Sequence, residues 1–358
     1  MLSNQLLTKR YTLVATALII SIVLVASFRD AIPIQDYRNF AFSETVVPIQ
    51  TSNNGPQPAH YKTQPEWNWV VPKYASSFDG YARKPRNKDV IVLTASDGLG
   101  HNSEIPNLLD KVLDDRAKYC AKHGYTNLWL NTSRYDVGDS HRVWSKIPAL
   151  AEAFYLYPSA EWVWLMDADM VLMNHDYSLV SEILSPAAID KGILRNQPLL
   201  TGSLKNAMYE NLHTPSDYRV ENIDILLTQD HHSINAGSVF FRRSAFTRFF
   251  LEAMTDTMLT GREHGNAEQD AILHMILEHE LVRKHVGVYP QRKFNSYTEG
   301  GDKMGYKEGD LAVHFAGCWV EHNCVERFNK YWNMKDRGTD MLSRDQKLRS
   351  SHSPSTLT

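Results

Sequence analysis

Glu161-Trp-Val-Trp-Leu-Met-Asp-Ala-Asp-Met-Val-Leu-Met-Asn174 decides how this chain is read. An apolar run, Trp162 to Met166, leads into Asp167-Ala168-Asp169, and a second apolar run, Met170 to Met173, follows. Apolar runs this short read as buried strands. Two carboxylates at the end of a buried strand are costly to desolvate unless a cation compensates them. A divalent metal does so well, and oxygen-rich sites suit Mn or Mg. The alternative is an acidic turn that only caps a strand, but a turn in solvent has little use for Trp-Val-Trp-Leu-Met before it.

Upstream, Asp89-Val-Ile-Val-Leu-Thr94 reads as another buried strand, ending in the polar loop Ala95-Ser-Asp-Gly-Leu-Gly100. Pro106 to Lys122 carries a helical pattern with Leu108, Leu109, Val112, Leu113 and Ala117 on one side. Tyr125 to Leu130 predicts a strand and Ser145 to Tyr155 a helix. Strands alternating with helices imply an α/β fold with a mostly parallel sheet covered on both faces. Ligands bind such sheets at the carboxyl ends of the strands, where both Ala95-Ser-Asp-Gly and Asp167-Ala-Asp169 fall.

Three other clusters carry polar chemistry. Thr228-Gln-Asp-His-His-Ser-Ile-Asn-Ala-Gly-Ser238 precedes a hydrophobic run, and Gly237 lets a ligand approach the backbone closely. Gly265-Asn-Ala-Glu-Gln-Asp-Ala-Ile272 opens a helical pattern, whose amino terminus already gives Glu268 and Asp270 a structural reason to exist. His314-Phe-Ala-Gly-Cys-Trp-Val-Glu-His-Asn-Cys324 follows the strand Leu311 to His314, where a lone His is more often structural than a ligand.

The amino terminus bears on the compartment. Tyr11 to Phe28 is almost wholly apolar, and about 18 residues at 1.5 Å each give roughly 27 Å, enough for a thin bilayer. Lys9 and Arg10 before it favour a cytosolic tail (1–10), a signal anchor (11–28) and a lumenal body. A cleaved signal peptide ending near Val25-Ala26-Ser27 is the alternative. Residues 29–87 are rich in proline and read as a stem, with Trp67 and Trp69 packing onto the body. The catalytic domain is expected over 88–334, and a polar, Ser-rich disordered tail over 335–358. The net charge of −3 supplies no basic field for nucleic acid. Three cysteines are too few for a disulfide scaffold. Cys318, His322 and Cys324 fit no standard zinc spacing. In an oxidising lumen a Cys318–Cys324 disulfide is the better expectation, leaving Cys120 free and buried.

With Trp-Leu-Met-Asp-Ala-Asp, His-His-Ser-Ile-Asn-Ala-Gly-Ser, Ala-Glu-Gln-Asp-Ala and His-Phe-Ala-Gly-Cys in this order, residues 88 to 332 resemble glycosyltransferase family 34. That family includes fungal Golgi mannosyltransferase subunits, yeast α-1,2-galactosyltransferases and plant xylosyltransferases. The resemblance implies a GT-A fold, a type II Golgi membrane anchor, a nucleotide-sugar donor, Mn and retention of configuration. Carried over residue by residue, Asp169 and His314 would hold the metal, with Asp167 on the metal or the donor ribose. Gln269 would lie by the reacting sugar carbon, Gly317 by the phosphates, and Thr94, Ser96 and Asp97 by the nucleoside. Asp270, Asp230 and Asn235 would contact sugar or acceptor. Plant relatives carry a Lys where this chain has Trp319, which leaves Lys146 or Lys293 to neutralise the diphosphate. The same departure supports the fungal branch.

The expectation is therefore a Golgi α-1,6-mannosyltransferase using GDP-mannose on the outer chains of protein-linked N-glycans, within a mannan polymerase complex or alone. An α-1,2-galactosyltransferase using UDP-galactose is the close alternative, because the metal sees the diphosphate and neither base nor sugar. A non-catalytic subunit of that complex is the reading from another class.

Overall fold

The computed structural model describes residues 65–76, 83–202, 204, 207–256 and 266–335. The apolar run 11–28, the stem up to residue 64 and the tail from 336 lie outside them. Among the described helices, none is long and apolar enough to cross a membrane.

The main sheet is six-stranded, in the order β2-β1-β3-β6-β5-β7. Its strands are β1 (Val90–Ala95), β2 (Thr126–Leu130), β3 (Trp162–Met166), β5 (Ile225–Gln229), β6 (Ile234–Arg242) and β7 (Val286–Pro290). Strand β6 runs antiparallel to both neighbours, β3 and β5, and the other pairings are parallel. This is the mostly parallel α/β sheet expected. Every residue of β1 and β3 is buried, because alternate side chains feed two different cores. Ile91, Leu93, Val163 and Leu165 enter one, and Val90, Val92, Trp162 and Trp164 the other.

The second apolar run does not prolong this sheet. Met170–Leu172 is β4, the first strand of a smaller sheet ordered β4-β9-β8, with β8 at Ser296–Tyr297 and β9 at Ala312–His314. Asp167-Ala-Asp169 is thus the crossing between two sheets, and it is held from both sides. The Asp167 N–H donates to the Gly237 carbonyl at 2.8 Å, and the Phe315 N–H donates to the Asp169 carbonyl at 3.0 Å.

Helices α1 (Leu108–His123), α2 (Lys146–Leu156), α3 (Ala245–Met254) and α4 (Glu268–Glu278) pack on the main sheet and on one another. Gly124 ends α1 in the left-handed region, φ +74°, donating its N–H to the Cys120 carbonyl. The buried stripe of α1 follows the expected apolar pattern only at Leu108 and Val112. Leu108, Val112, Asp115, Arg116, Tyr119 and Cys120 are buried, whereas Ala117 is exposed. Two charged residues face inward because each finds partners there. Asp115 accepts from the Leu172 N–H at 3.2 Å and lies 2.9 Å from His175. Trp69 stacks on Phe154 with ring centroids 4.7 Å apart, so Trp69 packs onto the folded domain as expected. Cys318 and Cys324 form the expected disulfide, and Cys120 is free and buried.

Candidate active site

The carboxyl ends of β1 and β3, the start of β6, the first turn of α4 and the loop after β9 enclose a cleft of about 700 Å³. On its floor, Asp167, Asp169 and His314 each present a ligand atom, all within 4.8 Å of one another. Two carboxylates and an imidazole converging in this way form a donor set suited to a divalent cation. Nε2 of His314 lies 3.4 Å from Oδ1 of Asp169. The other Asp169 oxygen accepts from the Asn102 side-chain amide, and the Cys318–Cys324 sulfurs lie 3.1 Å from that amide's oxygen.

Burial alone would raise the Asp169 carboxyl, but the charge and hydrogen bond of His314, with Lys146 beyond, hold it below the ordinary carboxylate range. For His314 burial opposes protonation, and the neighbouring Asp169 and Asp167 outweigh it and raise its pKa. The site thus strongly favours a positive charge between these groups.

A fixed cation already stands at the side of the cluster. Nζ of Lys146, on the first turn of α2, lies 2.6 Å from Asp167 and 2.8 Å from Glu268. Burial lowers its pKa and the two carboxylates more than restore it, so the ammonium keeps its proton. Of the two lysines considered for the diphosphate, Lys146 is at the cleft. Lys293 lines a separate cavity with Glu182 and Lys191.

Gln269, Asn235, Gly317, Ser96 and Asp97 all line the cleft. The Ala236 N–H donates to Oε1 of Gln269 at 3.0 Å, which ties α4 to β6. Ala267, just before α4, has φ +46° and ψ −117°, strained for a residue with a β-carbon. Gly317, at φ +73°, has open space where a β-carbon would stand.

Thr94, Asp230 and Asp270 do not line the cleft. Oγ1 of Thr94 turns inward and accepts from Arg116. Asp230 accepts from the Tyr297 hydroxyl at 2.8 Å and from the N–H groups of His232 and Ser233. Asp270 accepts from the backbone and side chain of Asn266 and secures the entry to α4. These three shape the site from behind, because backbone donors and neighbouring side chains claim their oxygens.

Two contributors were missed in the sequence. Arg116 is fully buried and donates to the Asp167 and Met170 carbonyls, fixing the acidic turn from below. Burial brings its pKa down to about 10, so it stays charged at neutral pH. Its position four residues after Val112, on a buried stripe, was the available signal. Asn295, against Nδ1 of His314 at 2.9 Å, has no local signal.

Residues 86–325 match the galactosyl transferase GMA12/MNN10 family. Among similar proteins, Probable alpha-1,2-galactosyltransferase gmh2 of Schizosaccharomyces pombe is 35% identical over 71% of this chain and 73% of its own length. Probable alpha-1,2-galactosyltransferase gmh1 of the same yeast is 37% identical over 69% and 74%. Probable alpha-1,6-mannosyltransferase MNN10 of Saccharomyces cerevisiae is 26% identical over 73% and 72%.

Proposed function

This chain belongs to the galactosyl transferase GMA12/MNN10 family and is a glycosyltransferase, and from that we propose a metal-dependent, retaining hexosyl transfer from a nucleotide sugar to a glycan hydroxyl. The observation that carries it is the convergence of Asp167, Asp169 and His314 on the floor of the cleft. These three residues would hold the ion, and Mn suits a set that mixes oxygens with an imidazole. When bound, it supplies positive charge to the donor diphosphate as negative charge develops on the leaving group.

The chain's own residues do the rest. Lys146 adds a fixed positive charge beside the metal ligands. Gly317 leaves its backbone open to the phosphates. Gln269 sits on the first turn of α4 and lines the cleft, where its amide would meet the reacting sugar. An amide is a poor nucleophile, which favours attack from the leaving-group face. The bond from C1 to the phosphate oxygen breaks as the acceptor oxygen bonds C1 on the same face. The acceptor proton passes to the departing phosphate.

The identity of the donor follows the names of the similar proteins. Those at 35% and 37% identity carry galactosyltransferase names, which favours UDP-galactose. GDP-mannose is the second reading, supported by the mannosyltransferase relative at 26%. The run 11–28 with Lys9 and Arg10 ahead of it supports a type II Golgi anchor with the catalytic body in the lumen. Association with mannan polymerase subunits belongs with the GDP-mannose reading.

The full chain, purified in detergent with Mn²⁺, is to be offered UDP-galactose and GDP-mannose with α-mannoside acceptors. Transfer from UDP-galactose giving an α-linked product is expected. Transfer from GDP-mannose alone would reassign the donor. Absence of transfer from any donor, with normal glycans in cells carrying Asp169→Asn, would establish a scaffold instead.

A further inference from the structure

Asn295 is buried with no measurable exposure and makes three side-chain contacts. Its Oδ1 lies 2.9 Å from Nδ1 of His314, and its Nδ2 donates to Oδ1 of Asn235 at 2.8 Å and to Oγ1 of Thr228 at 3.1 Å. Which atoms are donors follows from the far end of this chain. The Gly237 backbone N–H, which can only donate, points to Oδ1 of Asn235 at 3.0 Å. That atom is therefore the amide oxygen, and the Asn295 atom facing it must be the nitrogen. The remaining Asn295 atom is then the oxygen, an acceptor, and Nδ1 of His314 must carry a hydrogen.

With Nδ1 spent on Asn295, Nε2 is the ring atom left to face Asp169, across 3.4 Å. Positive charge is what joins these two atoms, either a proton on Nε2 or a metal cation that takes its place. The ring is also held sterically. A β-carbon at Gly237 would lie 2.3 Å from Cε1 of His314, and the Tyr297 ring meets the imidazole edge-on at 6.0 Å between centroids.

We propose that Asn295 is a positioning residue for the metal site, using the Gly237–Asn235–Asn295 relay to fix His314 as the tautomer that presents Nε2 to the cation. This rests on the metal reading of the site given above. Residues that orient a ligating His in this manner typically contribute a factor of about 10–100 in metal affinity. The relay also constrains Asn235. With its Oδ1 committed to Gly237 and Asn295, any contact Asn235 makes to a bound sugar comes from its Nδ2, as a donor to a ligand oxygen.

The test uses the full chain and Mn²⁺ alone, with no nucleotide. Free Mn²⁺ is counted by its electron paramagnetic resonance signal, and the His314 ring nitrogens are followed by ¹⁵N NMR at alkaline pH, with His314→Gln for assignment. The wild type is expected to carry its ring proton on Nδ1. Asn295→Ala is expected to bind Mn²⁺ about 10–100-fold more weakly and to mix the two tautomers. Wild-type affinity in Asn295→Ala overturns the inference while leaving the metal site standing. A wild-type ring proton on Nε2 overturns it too, and that measurement holds even where the variant fails to fold. Absence of Mn²⁺ binding by the wild type overturns the metal reading and the inference together.

Discussion

Gly237 faces the imidazole of His314 so closely that a β-carbon would stand 2.3 Å from Cε1. The glycine in Asn-Ala-Gly-Ser is thus required by a side chain from the other sheet, 77 positions away in sequence (314 − 237). Gly237→Ala is expected to push the ring aside, weakening Mn²⁺ binding by about 10–100-fold and costing about 1–3 kcal/mol through overpacking. A Mn²⁺ titration matching wild type would show that His314 is not a ligand.

Asp169→Asn keeps size and removes a charge from the metal cluster. Turnover with saturating Mn²⁺ should fall by about 100- to 1,000-fold, the usual cost of one transition-state electrostatic contact. The melting temperature decides whether the loss is chemical. Near-normal turnover would dismiss the metal assignment.

Lys146→Met leaves the Asp167 and Glu268 carboxylates without the ammonium they share. Unpairing buried charges costs about 3–5 kcal/mol, so the metal-free protein should melt earlier. Mn²⁺ supplies positive charge at Asp167 and should restore part of the loss. An equal loss with and without Mn²⁺ would place the cation elsewhere.

Gln269→Ala removes the acceptor of the Ala236 N–H, and leaving that buried donor unmatched costs about 1–3 kcal/mol. The kinetic effect is separate and larger in kcat than in KM if the amide acts only in the transition state. Turnover per folded molecule within about twofold of wild type would remove Gln269 from the chemistry.

Cys120 is buried and its thiol is pushed up to about 12 by desolvation. With Cys318 and Cys324 paired, the native protein should show no reactive thiol and the unreduced, denatured protein one. Three thiols after denaturation would mean that the disulfide had not formed.

Much of this was legible in the sequence. The buried runs Val90–Ala95 and Trp162–Met166, the helices between strands and the acidic turn are local patterns, because strand and helix periodicity and the cost of burying carboxylates act over a few residues. The family resemblance added His314 and Gln269, which no local spacing links to Asp169. Tertiary packing alone set where polar side chains spend their hydrogen bonds. Arg116 broke the apolar stripe of α1 to hold the acidic turn, and Thr94 turned away from the cleft to meet it. Asp230 and Asp270 were taken up by backbone donors, Lys146 was chosen over Lys293, and Asn295 came to orient His314. The physical reason is the same in each case. A buried polar atom must find a partner, and partners from distant segments are set by the packing of the two sheets rather than by neighbours along the chain.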